Sequence, residues 1–91
     1  MMRQHRRRSS FDVMGVILNA ANGMRGVRRN RLMYKTFLGH TQLKTYLPAL
    51  TENGLLHYDE DAQTFKTTQK GLRFLASYNR LYDTMTKNIT S

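Results

Sequence analysis

The stretch Thr51–Gly71, TENGLLHYDEDAQTFKTTQKG, leaves the chain little choice of fold, because three structural events fall within it. Asn53-Gly54 ends a helix, since glycine fills the left-handed position after a last turn at no steric cost. Leu55–Tyr58 and Thr64–Thr67 read as two short strands joined by the acidic tip Asp59-Glu60-Asp61. Leu56, Tyr58, Phe65 and Thr67 form the candidate inward face of that hairpin. Thr68 then caps a further helix.

The flanking segments carry apolar residues at helical spacing. Ser9-Ser10 offers an N-cap, Asp12 suits a first turn, and Val13, Met14, Ile17, Leu18 and Ala21 recur on one face until Asn22-Gly23. Residues 27–37, VRRNRLMYKTF, form a second candidate helix with Leu32, Met33 and Thr36 inward. Leu38-Gly39 is a turn signal. A third helix over 41–53 buries Leu43, Tyr46, Leu47 and Leu50. Pro48 inside it removes a backbone donor and clashes with the Lys44 carbonyl, at about 3 kcal/mol if nothing adapts. The apolar stripe stays in phase past it, which predicts a kinked or loosened helix. The alternative is a break into two pieces.

After Thr68, Phe74, Leu75, Tyr78, Leu81, Tyr82, Met85 and Ile89 fall within a stripe roughly 120° wide. The part beyond Tyr78 extends about 16 Å further, at 1.5 Å per residue. The spacing 75, 78, 82, 85, 89 alternates three and four, as a coiled-coil seam does. The expected partner is a second copy of the chain, with Tyr78, Leu81, Tyr82, Met85 and Ile89 at the interface. The alternative is that the stripe folds back on the first helix, or frays.

The order helix, helix, turn, helix, hairpin, helix is a winged helix-turn-helix: mainly α, with a small β-hairpin and a long C-terminal helix. Ninety-one residues make one domain. Residues 1–9 are expected to be a flexible basic arm, 10–78 the winged-helix domain and 79–91 a dimerising extension.

The formal net charge of +9 comes from 15 basic and 6 acidic residues. It implies polyanionic partners first and an anionic membrane surface second. Arginine dominates the first third of the chain, and its planar fork suits phosphate. No apolar run approaches the roughly 18 residues of a spanning helix, so no membrane partner is expected. The absence of cysteine excludes disulfides and thiolate metal sites and fits a cytoplasmic, nucleoid-associated location. His5, His40 and His57 show no metal-ligand spacing. The Asp59 run fails as a calcium loop, with Thr64 at the glycine position and Lys70 at the glutamate position. No serine elbow or glycine-rich phosphate loop occurs. The chain reads as a non-enzyme without cofactor or metal.

In a helix-turn-helix, the second helix of the pair enters the major groove by its N-terminal half. That half carries His40, Thr41, Gln42, Lys44 and Thr45. Gln42 can pair bidentately with adenine, and Lys44 can reach guanine or phosphate. Arg28, Arg29, Arg31 and Lys35 are the expected phosphate contacts from the preceding helix. The acidic tip beside a duplex would be repelled, so Lys66 is the wing's candidate contact. Double-stranded DNA is the expected partner. A protein-interacting wing using the acidic tip, or RNA binding, is the alternative.

The stretches RLMYKTFLGHTQLKTYLPALTENGLLHY, 31–58, and FKTTQKGLRFLASYNRL, 65–81, resemble an archaeal winged-helix family of small transcriptional regulators and chromatin components. The motifs that carry the resemblance are MYK at 33–35, L-K-x-Y-L at 43–47, N-G-L at 53–55 and T-x-K-G-x-x-F-L at 68–75. The resemblance covers about residues 13–82 and implies DNA binding through the helix at 41–53. For some members it also implies a dimer made by antiparallel last helices. Pro48 departs from the family's pattern, and the last helix is short for a long coiled coil.

Overall fold

A computed structural model of the protein describes residues 10–23 and 25–90, with side chains as far as Leu81. The elements run α1 (Ser10–Ala20), α2 (Arg29–Thr36), α3 (His40–Glu52), β1 (Leu56–Asp59), β2 (Thr64–Thr67) and α4 (Gln69–Thr90). This is the expected winged helix-turn-helix architecture. Its core is one aliphatic cluster: Val13, Ile17, Leu18 and Ala21 from α1 and its end, Leu32 from α2, and Leu43, Leu47 and Leu50 from α3. Leu38, Leu56 and Leu75 close it. The helical stripes read from the sequence therefore meet one another, which is how three short amphipathic helices become stable in water.

The α2–α3 unit is held by local polar contacts. The Thr36 hydroxyl, buried, donates to the Leu32 carbonyl at 2.6 Å and accepts from Leu38 N–H at 3.2 Å. α3 runs unbroken through Pro48, which overturns the two-piece alternative. Pro48 lies exposed, so the Lys44 carbonyl that loses its partner can turn to water. α3 ends in a Schellman motif: Leu55 N–H donates to Leu50 O at 2.9 Å and Gly54 N–H to Thr51 O at 3.1 Å. Gly54 holds φ +77°, as expected of the residue after this helix.

β1 and β2 pair antiparallel, with Leu56 opposite Thr67 and Tyr58 opposite Phe65. The wing is fastened at its base. Thr67 Oγ1 donates to Leu18 O at 2.7 Å, and Thr67 N–H to Ala21 O at 3.3 Å. The expected inward face divides along the hairpin. Leu56 and Thr67 are buried, Phe65 is half-buried, and Tyr58 is 37 % exposed. A two-stranded ribbon leaves the core within four residues, and its outer pair then stacks on itself. The Tyr58 and Phe65 centroids are 4.7 Å apart. At the tip, Asp59 Oδ1 accepts from Asp61 N–H at 3.0 Å and Ala62 N–H at 3.2 Å. The first acid of the tip thus builds its own turn.

The helix expected over 27–37 begins only at Arg29. Val27 instead bridges to Phe65, each backbone N–H donating to the other's carbonyl at 2.8 Å. Gly26, at φ +80°, permits this approach, since a Cβ there would lie 2.8 Å from Thr64 Oγ1. The bridge sets the start of α2 directly beside the wing.

Thr68 caps α4 as expected, accepting from Gly71 N–H at 3.0 Å. α4 then packs against α1. Phe74 meets Phe11 edge-on with centroids 5.0 Å apart, and the Tyr78 ring lies over Gly15 while its hydroxyl donates to Asp12 Oδ1 at 3.1 Å. Up to Tyr78 the stripe packs on the first helix, so the first turns of α4 cover the domain. Leu81, one turn further, is 57 % exposed.

Candidate nucleic-acid interface

α3 turns Leu43, Leu47 and Leu50 into the core and presents Thr41, Gln42, Lys44, Thr45, Pro48 and Ala49 outward. His40 opens the helix. Its ring is held by Arg29, whose Nη1 lies 3.0 Å from His40 Nδ1 and whose Nη2 donates to His40 O at 3.3 Å. A guanidinium is always a donor, so in this contact Nδ1 is the acceptor. This pair of bonds ties the start of α2 to the start of α3. It sets two basic residues at the mouth of the helix-turn-helix.

Arg28, exposed, follows the Val27 bridge and so stands between α2 and the wing. Arg28, Arg29 and Asn30 line one side of an open groove of about 380 Å³, with Tyr58, Gln63 and Phe65 on the other. A second groove, about 480 Å³, separates α3 from the wing. Arg29, Lys44, Pro48 and Glu52 stand on its rim, and Leu47, Tyr58 and Phe65 contribute apolar surface. The Tyr58–Phe65 stack is the ridge common to both. It is a part of the site that the residue types alone did not disclose, because the alternation placed both rings inward. Val27 was its signal: a β-branched residue after Gly26, with no apolar repeat of its own.

The electrostatics are one-sided. Between Asp12 and Glu52 the chain contains no aspartate or glutamate, while Arg25, Arg28, Arg29, Arg31, Lys35 and Lys44 lie in that interval. A helix pair with cations of one sign and no internal acid raises the local potential toward polyanions.

The predicted contacts do not all converge. Arg28, Arg29, His40, Thr41, Lys44 and Thr45 share the region around the start of α3. Lys35 turns away: its Nζ donates to Ala20 O at 3.2 Å, capping the last turn of α1. Arg31, exposed and one turn earlier, lies on the Lys35 side of α2. Gln42 Oε1 accepts from Gly39 N–H at 3.2 Å, half of a capping box that glycine cannot return. A bidentate contact with adenine needs that same oxygen, which the cap turns toward the Gly39 backbone. Thr45 Oγ1 donates to Thr41 O at 3.1 Å. Lys66 alternates with Phe65 and Thr67 along β2. It therefore shares the other face of the wing with its cross-strand partner His57, away from both grooves.

Of the expected dimer residues, Tyr78 is half-buried, and its hydroxyl donates to Asp12 on α1 of its own chain. Leu81 is exposed. The side chains of Tyr82, Met85 and Ile89 lie outside the described residues. Among the described residues, no group of three His, Cys, Asp or Glu side chains could hold a metal ion, and no helix is long and apolar enough to cross a membrane.

Four helices, a two-residue bridge and a hairpin around a basic helix mouth define a winged helix-turn-helix, a class of DNA-binding domain that typically carries no catalytic activity. The sequence bears this out independently: residues 7–86 match the model of a winged helix-turn-helix family, and the chain belongs to that family. Comparison with curated proteins gives no match.

Proposed function

We propose that the protein binds double-stranded DNA as a transcriptional regulator or nucleoid component, with the N-terminal half of α3 in the major groove. The observation that carries the reading is the convergence of Arg28, Arg29, His40 and Lys44 around that half-helix, in a segment without acids. Arg28 and Arg29 contact phosphate. Thr41, Lys44 and Thr45 face the base edges, and Gln42 joins them. Arg31 and Lys35 add positive potential from elsewhere on α2. Pro48, Ala49 and Glu52 follow on the same helix and offer no cation, which limits base reading to the first turns. Two chains pair through the end of α4, where Leu81 is exposed. Asp59 serves the tip's own turn.

If each subunit neutralises about four phosphates, the logarithm of affinity falls with the logarithm of salt at a slope near −3.6 per subunit. Fluorescence anisotropy with a labelled duplex across a salt series measures it. The double change Arg28→Ala/Arg29→Ala should bring the slope to about half for every sequence alike. Binding indifferent to salt, or a double variant identical to the parent, would reject the assignment.

A further inference from the structure

The surface of α2 carries an aromatic pair that the fold does not use. Tyr34 is 80 % exposed and Phe37 is 92 % exposed. With Asn30, Met33 and Leu38 they line a shallow depression of about 540 Å³. An isolated exposed ring needs no explanation; two exposed rings and a methionine lining one depression make an apolar patch of the kind that marks a contact.

Phe37 stands out by its backbone as well. It is the C-cap of α2, with φ 61° and ψ 21°, and its N–H donates to Met33 O at 2.9 Å. This left-handed conformation suits glycine or asparagine and is uncommon for a bulky residue. The fold therefore gains nothing from the phenyl ring, which neither enters the core nor eases the turn. Strained, exposed residues of this sort concentrate at functional sites.

The surroundings choose the occupant. The patch lies in the acid-free interval between Asp12 and Glu52, with Arg31 on the same helix and the Arg29–His40 pair at the next one. Phe37 precedes His40 by three residues, which limits their Cα separation to about 10 Å. With the start of α3 in a major groove, Phe37 stands within reach of the rim of that groove, and Tyr34 lines the same depression; deoxyribose and thymine methyls offer apolar surface there.

We propose that Tyr34 and Phe37 form an apolar contact with duplex DNA at the groove rim. It supplements the phosphate contacts with a part of the affinity that salt does not screen. This inference rests on the DNA-binding reading above. Aromatic packing transfers no counterions, so it moves the whole salt line rather than tilting it.

The test is the same anisotropy series on Phe37→Asn and Tyr34→Gln. Asparagine tolerates the left-handed position and glutamine suits a helix, so both variants should melt no lower than the parent. Each should bind roughly ten-fold more weakly at every salt concentration, with the slope unchanged. Lines that superpose on the parent, or that differ in slope, would overturn the contact while leaving DNA binding intact. A parent chain that binds no duplex at all would instead bring down the underlying reading, and this inference with it.

Discussion

Replacing Thr67 with valine keeps the shape of the side chain and removes one oxygen. That oxygen is the only donor the Leu18 carbonyl has among the described residues. Asn22 N–H, which would continue the helix to Leu18, goes to Asn19 at 3.3 Å instead, while Thr67 Oγ1 reaches Leu18 at 2.7 Å. Leu18 is fully buried and Thr67 is 5 % exposed, so water cannot substitute without disturbing the core. A buried carbonyl left unpaired costs about 1–3 kcal/mol. A domain of this size has a total stability of roughly 4–12 kcal/mol. At 4–8 °C per kcal/mol, Thr67→Val should lower the melting temperature by about 10 °C. Thr67→Ser keeps the hydroxyl and removes one methyl, at about 0.8 kcal/mol, so it should lose only about 5 °C. Thermal melts followed by circular dichroism compare the two. If valine were as stable as serine or more so, the hydroxyl would not be what fastens the wing to α1.

Two more changes test the frame and the assembly. A Cβ at Gly71 would collide with the Leu55 carbonyl oxygen and lie 2.6 Å from Thr67 Cγ2. Gly71→Ala should therefore destabilise by about 1–3 kcal/mol despite alanine's better helix propensity. A denaturant titration that finds it more stable would disprove the tight seating of α4 on the wing base. Leu81→Glu places a charge on an exposed position of the α4 stripe. Sedimentation should show a dimeric parent and a monomeric variant, and an unchanged mass would exclude that stretch as the interface.

Periodicity made most of the fold legible, because each helical stripe was complete within its own segment. Leu43, Leu47 and Leu50 need no partner to be recognised as one face, and Asn53-Gly54 and Thr68 mark helix ends through bonds to their immediate neighbours. The charge asymmetry was equally plain, since it depends only on residue identity. What the chain order concealed were contacts between distant segments. Val27 looks helical until Phe65 is beside it, and Tyr58 looks inward until the hairpin is seen to leave the core. Lys35 and Gln42 look like free DNA contacts until the end of α1 and Gly39 take their polar atoms. A side chain's type states what it can bond; only the packed chain decides which partner comes within reach, and a group already bonded inside the protein offers a ligand only the donors and lone pairs that the bond leaves over.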